Sequence, residues 1–277
     1  MEIKIHNSKS GGIRAGADFE ALMHDQTEWP GEKIALEDLH VISHRYSRIL
    51  GLCVDADVLE IGSGSTIGKR EIAISVKSFV SIDLSKENII RSKSLYYELD
   101  FCQLEGDAHN LPFEDDSFDT VIALAMIYYL DSETFLREAK RVLRPGGKLF
   151  FCSSNKDVPG FVEAPGSNEY LSIPEWSTRL SQGGFDVSFE GVFKKSHLLP
   201  LGMRANLIHM VKSILTSLGL SNLWGILRGI GKGDKSTIPE LLSEFPPCDE
   251  LAAPLSANEV NKIYRVFYCE CTAIKET

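Results

Sequence analysis

The chain has 277 residues, 43% of them hydrophobic and 25% charged, with a formal net charge of −10. That length suits one large domain or two small ones with a core of useful size, and the acidic balance argues against wholesale nucleic-acid binding through a basic surface. Six cysteines, Cys53, Cys102, Cys152, Cys248, Cys269 and Cys271, form no CxxC pair. They read as reduced thiols, not as a disulfide framework or a zinc site, and no metal is expected. The opening MEIKIHNSKS has no apolar stretch of the signal-peptide kind, and the apolar run at 120–130 is too short to span a bilayer. The expectation is a cytoplasmic protein.

Residues 1–30 are polar and irregular. From Lys33 to Leu50, Ala35, Leu39, Ile42, Tyr46 and Ile49 recur at helical spacing and predict an amphipathic helix. Strands and helices then alternate: strand 57–61, helix 66–77, strand 79–83, helix 86–97, strand 100–104, strand 118–124, helix 132–143 and strand 147–153. This alternation predicts a parallel sheet with helices on both faces. RPGG at 144–147 reads as a helix stop. A further helix ends on Gly183 and Gly184, FDVSFEGVF reads as a strand, and the final strand is placed at about 264–273. The long connection between those last two strands carries helical, apolar-rich patterning at 203–230.

Residues 58–66, VLEIGSGST, raise the question of which nucleotide the chain holds. Gly62 and Gly64 allow a tight turn and close approach to a ligand. A dinucleotide fingerprint needs GxGxxG, but Ile67 stands at its sixth position and Gly68 follows one residue late. Glu60, on the strand end, would repel a pyrophosphate and suits a ligand with a cationic amino group. Asp83 closes the next strand, where a carboxylate can accept both ribose hydroxyls. Asp107 follows the third strand and is placed to accept from an adenine amino group. Each has a plainer reading: a charge at a helix N-terminus for Glu60, a helix cap for Asp83, a turn for Asp107. Together they describe a site for an adenosine without phosphates. Asp119, at the start of a strand away from that edge, reads as structural.

VLEIGSGST, VSIDLS, EGDAHNLPFEDDSFDTVIA and FLREAKRVLRPGGKLFF resemble the class I S-adenosylmethionine-dependent methyltransferases of the ubiquinone-biosynthesis type. The resemblance covers roughly 57–155. It implies a Rossmann-like α/β fold with seven strands in the order 3-2-1-4-5-7-6, strand 7 antiparallel and helices on both faces. It also implies S-adenosylmethionine as methyl donor, with Glu60, Gly62, Ser63, Gly64, Asp83, Leu84, Asp107 and Ala108 as the cofactor-binding residues. Thr66 stands where the family often has a third glycine, which bears on affinity. TEWPGEKIALEDLHVISHRY and SSNKDVPGF resemble methyltransferases encoded with glycan-assembly enzymes, which implies a role in glycan biosynthesis.

The expected organisation is an N-terminal extension and cap helix at 1–50, a donor-binding core at 51–193, a helical insertion at 194–262 and a final core strand at 263–277. An amine acceptor needs only to be uncharged, whereas a hydroxyl usually needs a base. The candidates are Tyr128 and Tyr129 after the fourth strand, His40 and His44 on the first helix, and His197 and His209 in the insertion. His40 and His44 share a helix face, but no third ligand for a metal is evident. Residues 194–235 hold seven basic residues and one acid, a net +6, so the rest of the chain carries −16. This stretch reads as a basic amphipathic lid over a small-molecule, nucleotide-linked or lipid-linked glycan acceptor, or as a peripheral membrane contact. The leading reading is methyl transfer to oxygen or nitrogen of a small-molecule or glycan-type acceptor. The alternatives are a non-catalytic donor-binding or membrane-associated module, and a nicotinamide oxidoreductase that Ile67 and Glu60 disfavour.

Overall fold

A computed structural model describes residues 33–64, 68–194, 235–238 and 251–274. Strand β1 (Lys33–Ala35) leads into helix α1 (Leu36–Cys53). Then come β2 (Asp57–Ile61), α2 (Lys69–Ser75), β3 (Ser78–Asp83), α3 (Lys86–Leu95), β4 (Cys102–Glu105) and β5 (Phe118–Leu124). A single 3₁₀ turn, Ile127–Tyr129, precedes α4 (Ser132–Val142), β6 (Leu143–Ser154), α5 (Ile173–Gln182) and β7 (Phe185–Lys194). Short strands β8 (Lys235–Thr237) and β9 (Ala253–Leu255) come before β10 (Tyr264–Ala273).

The main sheet runs β4-β3-β2-β5-β6-β10-β7-β9. Its first seven members form the order 3-2-1-4-5-7-6, with β10 antiparallel to both β6 and β7. The expected count of seven is corrected to eight, because Ala253–Leu255 pairs with the free edge of β7. The first helix is also corrected. Lys33–Ala35 pair antiparallel with Lys235–Thr237, so the helix begins at Leu36. That partner lies some 200 positions away, where local periodicity carries no signal. RPGG does follow the end of α4, yet it lies inside β6. The pairing of β6 with β5 steps from Phe118–Leu143 to Thr120–Lys148, so the extra residues form a bulge. Helices α2 and α3 are shorter than expected from 66–77 and 86–97, and β4 starts two residues later than 100. Most of the expected helical insertion, 195–234 and 239–250, lies outside the described residues.

Side chains alternate across the sheet and build two cores. Leu59, Ile61, Val80, Ile82, Val121, Ala123, Leu149 and Phe151 face one way, beneath Phe135 and Ala139 of α4 and Trp176 and Leu180 of α5. Val58, Phe79, Ile122, Phe150, Cys152 and Tyr268 face the other way, beneath Leu39, Ile42, Tyr46 and Ile49 of α1. Each large apolar side chain so buried stabilises the fold by about 1.5–3 kcal/mol. Helix starts are set by local chemistry: Asp131 accepts from Thr134 N, and Ser172 with Glu175 forms a capping box. Cys269 and Cys271 are free thiols within the core, Sγ atoms 3.4 Å apart.

The N-terminal ends of the central strands are tied by charge. Asp57 N donates to Asp119 Oδ2 at 2.9 Å. The Asp57 carboxylate accepts from Lys77 at 2.9 Å and Ser78 at 2.7 Å, and pairs with Arg144 at 2.9 Å. Arg144 also pairs with Asp119 at 2.6 Å, which gives Asp119 the structural place expected of it. Burial alone would push the Asp57 carboxyl up, but the bonds from Lys77, Ser78 and Arg144 outweigh it and hold the group below its ordinary value. Asp57→Ala is therefore expected to lower stability by about 2 kcal/mol at pH 7. Because the folded-state pKa lies below the unfolded value of about 4, this contribution is complete above that value and drains away as pH falls through the folded one. Urea unfolding at pH 7 and pH 3 checks it: the gap between wild type and variant narrows in acid.

Candidate active site

The alternation that builds the cores also selects the polar groups that share a face. On β2, Glu60 points the same way as Val58; on β3, Ser81 and Asp83 point the same way as Phe79. Glu60 stands directly beside Ser81 in the register, with Asp83 two residues further along the same face. Lys69, in the first turn of α2, is buried among them at 1% exposure. Its Nζ donates to Ser63 Oγ at 3.2 Å and to Ser92 Oγ at 3.1 Å. Asp83 Oδ1 accepts from Ser85 N at 2.8 Å and Asn88 Nδ2 at 3.2 Å, and Gly64 N–H also donates to this carboxylate. Glu60 Oε2 and Ser81 Oγ are buried without a hydrogen-bond partner among the described residues.

Burial dominates the electrostatics here. It pushes the Glu60 carboxyl up to about 7, with Lys69 pulling down and Asp83 adding to the rise. Asp83 also lies above its ordinary value, because burial outweighs the bonds from Ser85, Asn88 and Gly64 and the charge of Lys69. Lys69 is lowered by burial and raised again by the two carboxylates.

The turn after β2 depends on its glycines. Gly62 has φ +62°, and a Cβ there would come within 2.6 Å of the Met126 side chain. Gly68 has φ +77°, and a Cβ there would meet the Tyr46 ring at 2.4 Å. The glycine that comes one residue late for a dinucleotide fingerprint is thus where α1 packs onto the start of α2. The sequence alone gave no hint of that. Thr66 and Ile67 lie outside the described residues.

Beyond β3, Gly106 N donates to Asp83 O at 3.0 Å and brings Asp107 and Ala108 to this end of the sheet. Asp107 Oδ1 accepts from His109 N at 2.9 Å and His109 Nδ1 at 2.8 Å. His109 Nε2 in turn accepts from Asp131 N at 3.0 Å, so Nδ1 carries the proton. These bonds hold the Asp107 carboxyl below its ordinary value, the side-chain bond from His109 contributing most. Leu84 is exposed on the rim and Ala108 is buried.

Tyr128 and Tyr129 lie in the turn that Met126 opens: Tyr129 N bonds to Met126 O at 3.0 Å, and Met126 covers Gly62. Tyr128 stacks on Tyr170 at 4.7 Å with 13° between the rings, and Phe161 packs edge-on to Tyr170 at 4.7 Å. The connection after β6 is fastened here, since Asn168 N and Glu169 N both donate to Tyr128 O. The Glu169 carboxylate receives Ser132 and Arg179. Burial, with Tyr129 and Tyr170 nearby, holds the Tyr128 hydroxyl well above its ordinary value, and burial raises Tyr129 too. Raised in this way, both hydroxyls keep their protons at neutral pH. His44 is not gathered into this group. Its Nδ1 lies 2.9 Å from Tyr268 Oη, and it packs against Phe193, on strands three and four places from β2 in the sheet.

Residues 59–151 match the family model described as a methyltransferase domain. A relative from Mycolicibacterium smegmatis, named as a probable S-adenosylmethionine-dependent methyltransferase, is 30% identical over 165 residues, 57% of this chain and 63% of its own. A demethylmenaquinone methyltransferase from Mycobacterium marinum is 35% identical over 115 residues, 41% of this chain and 48% of its own. Over this stretch the chain is similar to S-adenosylmethionine-dependent methyltransferases. The match spans less than two thirds of the length of either curated relative. The YcgJ protein of Bacillus subtilis shares the fold, with a TM-score of 0.55 at 16% identity over 84% of this chain and 99% of that one.

The turn at Gly62 yields a direct test. Gly62→Ala forces a side chain into the left-handed region, at about 1–2 kcal/mol, and displaces Met126. The variant is expected to melt at lower temperature and to bind S-adenosylmethionine more weakly, read by thermal denaturation and calorimetry.

Proposed function

We propose that this chain is a methyltransferase that moves a methyl group from S-adenosylmethionine to oxygen or nitrogen of a small-molecule acceptor. The observation that carries the reading is the buried, unpartnered Glu60 oxygen beside the Gly62 turn, on the same face as Asp83. Two carboxylates against one lysine leave this pocket anionic when ionised. Such a pocket attracts a ligand bearing an ammonium and a sulfonium and repels a pyrophosphate. The bound group supplies an electrophilic methyl on a sulfonium. In this reading Glu60 accepts from its amino group, and the Gly62–Gly64 backbone lies along its methionine end. Asp83 accepts from the ribose hydroxyls. Asp107, held by His109, accepts from the adenine amine, with Leu84 and Ala108 flanking the base.

The protein's contribution to the transfer is alignment and exclusion of water. The turn at 126–129 and the stacked Tyr170 supply an aromatic wall on the acceptor side. That wall suits a planar, largely apolar ring. Since Tyr128 and Tyr129 donate hydrogen bonds, the acceptor enters either as a neutral amine or as a hydroxyl acidic enough to ionise by itself, such as a phenol or an enol. The similarity to a demethylmenaquinone methyltransferase supports a ring-bearing acceptor. The glycan-type acceptor rests on the sequence resemblance, and the basic stretch at 194–235 would then cover it. No described helix is long and apolar enough to cross a membrane.

The test is label transfer. Purified protein and methyl-labelled S-adenosylmethionine are added to a cell extract, and the label is followed into organic and aqueous phases. Protein-dependent label in an organic-soluble aromatic product is expected; label confined to aqueous sugars would favour the glycan-type acceptor, and no transfer at all would leave only a donor-binding module. Asp83→Ala is expected to weaken donor binding by about 1–3 kcal/mol in calorimetry, with some loss of stability because Gly64, Ser85 and Asn88 lose their acceptor. Tyr128→Phe should leave donor affinity unchanged while lowering kcat, by about tenfold for one hydrogen bond to the acceptor.

A further inference from the structure

Lys69 is buried on every side, and nothing in the proposed transfer uses it. Enclosing an ammonium costs several kcal/mol unless its surroundings compensate. The two hydrogen bonds that Nζ makes go to neutral hydroxyls, and among the described residues it has no carboxylate within ion-pair distance. One of those hydroxyls belongs to Ser63, within the turn, whose backbone N–H is fixed to Ile82 O at 3.0 Å. The other belongs to Ser92, buried on α3. Lys69 therefore joins the turn after β2 to the helix after β3, and both Glu60 and Asp83 act on its charge.

We propose that Lys69 is a positioning residue for the donor: its ammonium fixes Ser63 in the turn, and its charge favours the ionised form of Glu60 that the donor's amino group meets. The inference rests on the reading that Glu60 accepts from that amino group. The charge arithmetic supports it. Without Lys69, two enclosed carboxylates face each other with no cation between them, and one must take a proton. Asp83 has Gly64, Ser85 and Asn88 donating to its anion, whereas Glu60 has a bare oxygen, so Glu60 is the one that is neutralised. The ionisable groups that act on Glu60 among the described residues are Lys69 on α2, Asp83 on β3 and Cys53 on α1. Burial pushes the Cys53 thiol up to about 12, so it stays neutral and cannot replace the lysine.

The sign follows from linkage. Glu60 in the free protein lies near 7, so below that pH donor binding must expel a proton, and affinity falls by up to about tenfold per pH unit. Removing the Lys69 charge moves this inflection upward. Lys69→Gln retains a donor for Ser63 and Ser92 without the charge, and Lys69→Met removes both. Donor binding is measured by calorimetry from pH 6 to pH 9, in buffers of different ionisation enthalpy. Wild type is expected to release a proton on binding at pH 6 and none at pH 9. Lys69→Gln should bind the donor at least about tenfold more weakly at pH 7, with the loss shrinking toward pH 9. Lys69→Met should show the same profile with a lower melting temperature. Unchanged affinity in Lys69→Gln, or a loss equal at every pH, overturns the charge role and leaves a structural bridge. Should neither variant fold, the wild-type measurement decides alone, and donor binding without proton release at pH 6 overturns the proposal. A wild-type chain that binds no donor at any pH overturns the donor reading itself, and this inference with it.

Discussion

The site depends on the pleat of two adjacent parallel strands. Glu60 and Asp83 share a face because each sits an even number of residues from Val58 and Phe79, which anchor that face in the core beneath α1. A slip of one residue in either strand would send its carboxylate into the opposite core among Ile61 and Ile82. The apolar pattern that fixes register thus also fixes where the charges stand. Lys69 can be enclosed only because that arrangement sets two carboxylates and two hydroxyls around it.

The two ends of the sheet are built differently. At the N-terminal end, Asp57, Asp119, Lys77 and Arg144 satisfy one another and bind four strands' worth of backbone into place. At the C-terminal end, Glu60 and Ser81 keep bare polar atoms. Buried polar groups without a partner cost free energy and persist only where the surrounding structure holds them in place.

The turn at 126–129 is held by a different device. The loop between β6 and α5 is locked to the turn at Tyr128 by backbone bonds from Asn168 and Glu169, and Glu169 is held in turn by Ser132 and Arg179. Tyr128 and Tyr170 stack across this junction. Burial holds the Tyr128 and Tyr170 hydroxyls above their ordinary value.

By itself the sequence determined the alternation of strands and helices, the helix stops at Val142 and Gln182, and the three acids at successive strand ends. These are local properties: period-two and period-3.6 patterning, turn chemistry, and a carboxylate that closes an apolar run. The resemblance carried by VLEIGSGST and the motifs after it added the strand order. What the sequence left hidden depends on partners distant along the chain. Lys33–Ala35 became a strand because residues 235–237 lie beside it, and Ala253–Leu255 because β7 has a free edge. Gly68 gained its reason from Tyr46, and His44 was drawn away to Tyr268. Nothing local in the sequence distinguishes Lys69. Only the packing of α2 in the assembled fold buries its ammonium within reach of the fields of two carboxylates. Burial and charge neighbourhood are properties of the assembled fold and do not belong to any one stretch of chain.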